Sequence, residues 1–134
     1  MLKRLFGETP APLTGAPTVR RLKTYSSRTG YVYQYYYLGQ RAASREGKPG
    51  NEFVFDVSAD RKTYHPVAVF VGNESIACWE AERARALISA ERYAIAKMAL
   101  LQAFDERAKP SDMHAEIRVR PADIRSILET LGVD

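Results

Sequence analysis

Four tyrosines at alternate positions, Tyr31, Tyr33, Tyr35 and Tyr37, are the residues whose type and spacing come nearest to a chemistry. Strand side chains have a period of two, so the four share one face, and an aromatic row on a sheet can stack unpaired bases. Arg20, Arg21, Lys23 and Arg28 lie just upstream and would follow phosphates beside such a row. These eight residues form a tentative binding surface. The same spacing also serves packing, the commoner use of strand tyrosines, in which each ring covers a helix and each hydroxyl reaches the rim.

Other reactive residue types are present but not in working patterns. Cys78, His65 and His114 would suit nucleophilic catalysis, yet no local signature surrounds Cys78, which is expected to be a buried structural thiol. One cysteine and two distant histidines do not make a zinc site. Asp60 is the residue expected in a polar hairpin turn, and Glu80 suits a helix start near the positive end of the dipole. Gly30, Gly39, Gly47, Gly50 and Gly72 match neither a phosphate loop nor a dinucleotide fingerprint. No catalytic residue, metal or cofactor is therefore assigned. An enzyme or small-molecule site would have to converge in three dimensions, as Tyr64, His65 and Asp56 could.

The elements that would position these residues follow from the hydrophobic pattern. Residues 1–17 hold Pro10, Pro12 and Pro17 among glycines and threonines and read as an extended arm, with Leu2, Leu5, Phe6 and Leu13 as its apolar positions. A first strand is expected from Thr18, a second over Tyr31–Leu38, and two more over Asn51–Val57 and Thr63–Val71, joined by the polar turn Ser58–Lys62. Pro66 argues for a bulge or an edge at that point. Gly39–Gly50 carries no periodicity and reads as a mobile loop.

The period then changes to helical from about Trp79 to Asp105, as one helix or as two that abut at Ser89, a residue able to cap. In the run Ala94–Leu101 only Lys97 is polar, so this helix must be covered on most sides, by the sheet and by something else such as a second subunit. Glu80 with Arg83, and Glu82 with Arg85, stand one turn apart as surface pairs. Ile117 and Val119 alternate with arginines in a short strand. Pro121 and Gly132 bracket a last helix with Ile124, Ile127, Leu128 and Leu131 on one stripe.

The chain's 134 residues suffice for one continuous core, so residues 18–134 are expected to form a single domain behind the arm. The net charge of +4 is uneven: residues 1–30 hold Lys3, Arg4, Arg20, Arg21, Lys23 and Arg28 against Glu8 alone. Apolar runs end well short of the roughly 20 residues that span a bilayer. Lys3 and Arg4 are followed by Gly7, Glu8 and Pro10 where a secretory signal needs an apolar core. Together with the single Cys78, this points to a cytoplasmic protein.

The expected fold is α+β: a three- to four-stranded antiparallel meander, a long helix or two abutting helices on one face, and a short C-terminal helix. Three strands followed by a helix resemble in outline part of a double-stranded RNA-binding domain. That family clusters lysines where this helix alternates Glu80, Glu82 and Glu91 with Arg83, Arg85 and Arg92. The leading functional expectation is a non-enzymatic protein-interaction or self-assembly module, since the apolar helix asks for a protein partner or a second copy. Nucleic-acid binding through the tyrosine face is the alternative, and an enzyme or small-molecule binder the third.

Overall fold

The computed structural model describes residues 10–133; the arm residues Leu2, Leu5 and Phe6, with Lys3, Arg4 and Glu8, lie outside them. The chain runs β1 (Lys23–Ser26), β2 (Val32–Arg45), β3 (Lys48–Ser58), β4 (His65–Gly72), α1 (Asn73–Arg83), α2 (Ser89–Glu106), a short 3-10 helix (Pro110–His114), β5 (Ile117–Val119) and α3 (Pro121–Leu131). The class is α+β as expected. The sheet, however, has five strands in the order β1-β2-β3-β4-β5 and is mixed, because β5 pairs with β4 in parallel. A parallel neighbour requires a crossover, which α1 and α2 supply.

Gly39–Gly50 is not a loop. It forms the distal halves of β2 and β3, paired down to Arg45 opposite Lys48 around a tight turn at Glu46 and Gly47, both at positive φ. Its small and charged residues hid the pairing. The reason it pairs is a curl: Arg45 reaches across to Glu116 at 2.6 Å and to Glu52, and its guanidinium lies 4.8 Å over the Phe70 ring. Glu52, itself buried, also accepts from Arg41, and these arginines hold its carboxyl below the usual range despite burial, which pushes it the other way. Gly50 permits this approach, since a β-carbon there would stand 2.5 Å from the Val71 carbonyl oxygen.

A second irregularity lies in β2. The register slips between Tyr37 and Gly39, so Tyr37 faces Phe55 and Gln40 faces Phe53. One extra residue reverses the alternation, and Gln40 comes to the same side of the sheet as Tyr33, Tyr35 and Tyr37. Gly39, at φ +127°, lets the arm lie against β2: a β-carbon there would stand 2.8 Å from the Thr14 carbonyl oxygen. Thr14 exchanges two backbone hydrogen bonds with Gln40, at 2.9 and 2.8 Å. Continuing that register would set Pro12 opposite Ala42, and proline has no N–H to donate. The arm therefore makes one bridge rather than a strand.

The helices cover one face. Tyr33, Tyr35, Phe55, Val57, Val67, Val69 and Val71 are buried beneath Trp79 of α1 and Ile95, Ala96, Leu100 and Phe104 of α2. Phe104 stacks on Tyr33 with ring centroids 4.2 Å apart and planes 7° apart. α3 lies against both α1 and α2 through Ile124, Ile127 and Leu128. The sheet and α3 thus bury Ile95, Ala96, Ala99 and Leu100 of the apolar wrap of α2 and leave Ala94, Met98 and Leu101 half-buried. Two helices are present: the second begins at Ser89 as expected, but the first ends earlier, at Ala84, which is left-handed at φ 51°, so residues 84–88 separate them. Glu80 accepts from the Leu87 N–H at 2.7 Å and Glu91 from the Ile88 N–H at 3.0 Å, so side chains bridge the break. Arg85 pairs with Glu91, Arg92 with Glu80 and Arg125 with Glu82, in place of the pairs one turn apart. Cys78 is exposed, not buried.

β1 begins only at Lys23. Residues from Thr18 to Leu22 approach it as exposed chain. Pro66 sits where β4 is locally an edge, because β5 pairs only with Val69–Val71. Ser58 and Asp60 order the β3–β4 turn; the Asp60 carboxylate accepts from the backbone N–H groups of Lys62 and Thr63, which lowers its pKa to about 2.

At the start of β4 the His65 ring stacks on His114 of the 3-10 helix, with centroids 3.9 Å apart. Burial, then the proximity of His114, lowers the His65 pKa from 6.5, with a hydrogen bond to the Pro66 backbone and the charge of Asp56 opposing. Above pH 6.5 the ring is neutral in folded and unfolded chains alike. As the pH falls, the unfolded chain takes up a proton that the folded chain resists, so stability is lost. The unfolding midpoint should fall between pH 7 and pH 5.5, and His65→Gln should flatten that dependence; an unchanged slope in the variant would contradict this assignment.

Candidate ligand-binding cleft

β2 carries its tyrosines from the sealed core to the open end of α2, and their environments change along the strand. Tyr31 precedes the strand and is 41% exposed. Tyr33 and Tyr35 are closed off by Phe104, so no external base can reach their faces. Tyr37 is only partly buried. Its ring meets Tyr93 of α2 edge-on at 4.8 Å and packs on Phe55.

Beside Tyr37 the first half of α2, β2, β1 and the arm surround a cleft of about 570 Å³. Gly15 and Pro17 come from the arm, Arg21 and Lys23 from the approach to β1, and Gln40 from β2 beyond the bulge. α2 contributes Ser89, Ala90, Tyr93 and Lys97. Ser89, Tyr93 and Lys97 recur at intervals of four and so form one stripe. Ser89 and Ala90 also open the helix, which brings the positive end of its dipole to the cleft.

The electrostatics have one sign. Arg21, Lys23 and Lys97 make no ion pair with a described residue, whereas Arg41, Arg45, Arg85, Arg92, Arg118, Arg120 and Arg125 all do. Among the described residues no carboxylate lines the cleft. The Tyr37 hydroxyl is buried and has no hydrogen-bond partner among the described residues. Burial pushes its pKa up to about 12, with Tyr93 adding to the shift, and burial raises Tyr93 as well. Both phenols are protonated at neutral pH and can donate. The arrangement offers an aromatic wall, hydroxyl donors and unpaired cations, which together suit an anion with a flat apolar body.

Of the eight residues singled out in the sequence, Tyr35, Tyr37, Arg21 and Lys23 meet at this cleft. Arg20 does not, because its guanidinium lies 4.7 Å over Tyr36 on the opposite face of the sheet. Arg28 stands in the β1–β2 turn, where its backbone N–H donates to Asp105. Tyr31 and Tyr33 are also elsewhere. Asp56 accepts from Tyr36, and Tyr64 donates to Gln34, on the open face, while His65 points to the helix side; the three do not converge. Gln40, Ser89, Tyr93 and Lys97 carried no functional signal beyond the isolation of Lys97 in an apolar run.

No family model matches the chain, and no curated protein or solved structure matches it either. Among the described residues no group of three or more His, Cys, Asp or Glu is placed to hold a metal ion, and no helix is long and apolar enough to cross a membrane.

Because the Tyr37 hydroxyl has no partner, removing it relieves a desolvated donor instead of breaking a bond. Tyr37→Phe should leave stability to urea unchanged or raise it by up to about 1 kcal/mol. A loss of that size would mean that the hydroxyl is bonded.

Proposed function

We propose that this protein is a small-molecule-binding domain whose cleft between β2 and α2 takes an organic anion with a planar apolar body. The observation that carries the reading is the gathering of Arg21, Lys23 and Lys97, which pair with no described carboxylate, around an aromatic-walled cleft that no described carboxylate lines. Like charges held together without counter-ions destabilise the folded chain, and an anion would relieve them. The volume is within the range of about 300–1,000 Å³ usual for small-ligand sites, and a mostly apolar lining with few polar groups is their usual composition.

The other two expectations lose their first support. An interaction module was motivated by the apolar wrap of α2, of which Ile95, Ala96, Ala99 and Leu100 are buried within the chain and Ala94, Met98 and Leu101 are half-buried. Nucleic-acid stacking was motivated by a tyrosine face whose two central rings, Tyr33 and Tyr35, Phe104 covers. The basic residues remain, and the cleft gives Arg21 and Lys23 a more specific use.

The test is calorimetry with 4-hydroxybenzoate and its neutral amide at low salt. The acid should bind, the amide should bind at least about tenfold more weakly, and Lys97→Ala should weaken the acid by roughly the same factor, equivalent to about 1.4 kcal/mol. Raising the salt should weaken it further. Equal binding of acid and amide, or an unaffected Lys97→Ala variant, would refute the reading.

A further inference from the structure

From Tyr33 to Ala42 of β2 and from Asn51 to Val57 of β3, the helix-facing side of the sheet is apolar except at two neighbouring positions. Its cross-strand rows include Tyr37–Phe55–Val67 and Gln40–Phe53–Val69, followed by Ala42–Asn51–Val71. Gln40 and Asn51 thus place two amides where every packing rule would put hydrocarbon. Gln40 is there only because of the bulge before it.

The two amides bond to each other, Asn51 Nδ2 donating to Gln40 Oε1 at 2.7 Å. Neither side chain makes another hydrogen bond to a described residue. That leaves both Gln40 Nε2 hydrogens, the second Asn51 Nδ2 hydrogen and the Asn51 Oδ1 acceptor open. Donors and an acceptor side by side complement the edge of a nitrogenous base, and glutamine and asparagine are the side chains that pair with a purine edge. Both amides border a second cavity of about 200 Å³, walled by Phe53, Ile76 and Leu87, which shares Gln40 and Ser89 with the larger cleft. A ligand seated at this junction has apolar surface for its ring faces and the amides for its edge. Arg21, Lys23 and Lys97 lie in the larger compartment, while Arg92, which pairs with Glu80, borders the smaller one. A small aromatic acid would use one end only, whereas a base joined to a phosphate through a sugar has a readable edge at one end and charge at the other.

Resting on the anion-cleft reading, we propose that the ligand is a purine nucleotide, its base edge read by Gln40 and Asn51 and its phosphate held by Arg21, Lys23 and Lys97. Three cations without counter-ions suit a phosphate, which carries more charge and more acceptor oxygens than a carboxylate.

Calorimetry with adenosine 5′-monophosphate, adenosine, ribose 5-phosphate and 4-hydroxybenzoate separates the possibilities. The nucleotide should bind about tenfold or more tightly than either adenosine or ribose 5-phosphate. Gln40→Met and Asn51→Leu, which keep side-chain volume, should each weaken the nucleotide roughly fivefold or more; Asn51 lines only the smaller cavity, so its variant should do so while leaving 4-hydroxybenzoate unchanged, and melting curves verify folding. Ribose 5-phosphate matching the nucleotide, or variants that bind it as the parent does, would overturn the assignment of the base edge. Binding of 4-hydroxybenzoate without the nucleotide would overturn this inference alone, and binding of neither would take the anion cleft with it.

Discussion

The seating of Phe104 on Tyr33 and Tyr35 is the contact on which the rest of the arrangement depends. A buried phenylalanine contributes about 1.5–3 kcal/mol through area alone, and an offset aromatic pair adds roughly 0.5–1.5 kcal/mol. This contact fixes the C-terminal half of α2 against the middle of β2. The Tyr25 hydroxyl and the Arg28 N–H, both donating to Asp105 one residue further on, tie the β1–β2 turn to the same helix end. With that half fixed, the first half of α2 must extend over Tyr37 and past it. There the facing residues are Tyr93, Lys97 and Ser89, and the cleft opens between them and the strand. The tyrosine row is therefore core at one end and cleft wall at the other.

Two backbone features give the cleft its remaining sides. The slip between Tyr37 and Gly39 turns the following residues over, so Gln40 faces the helix layer and not solvent. Gly39 then admits the arm, whose Gly15 and Pro17 close the side that β1 is too short to cover. Pro12 keeps the arm from extending its bridge, so this wall is secured to β2 chiefly by the exchange between Thr14 and Gln40. The same residue thus anchors the wall through its backbone and offers its amide to the cleft.

Much of the fold was legible because period and turn chemistry agree over residues 51–72 and 110–132. Phe53, Phe55 and Val57 alternate as a strand must, Asp60 makes the turn its type suggests, and Pro121 and Gly132 bracket α3. What was not legible depended on tertiary contact. The distal hairpin of β2 and β3 is held by Arg45 reaching Glu116, 71 residues away, and by the close approach allowed at Gly50. No local periodicity records such a bond. The parallel placement of β5 likewise follows from the crossover helices rather than from its three residues. For the site, composition pointed to tyrosines and upstream cations, and half of those residues do meet at one place. Strict alternation misassigned the rest: it treated four tyrosines as equivalent and would have turned Gln40 outward. A bulge and a covering helix decide both matters, and neither is a property of side-chain type.

On the proposed reading, an organic anion binds in the space between β2 and the first half of α2. Backbone amide and side-chain chemical-shift mapping during titration with adenosine 5′-monophosphate and with 4-hydroxybenzoate tests it most directly. Shifts should concentrate on Gly15, Lys23, Tyr37, Gln40, Ser89, Tyr93 and Lys97, with Tyr64 and Asp56 on the opposite face unmoved. Shifts confined to that opposite face, or none at millimolar ligand, would contradict it.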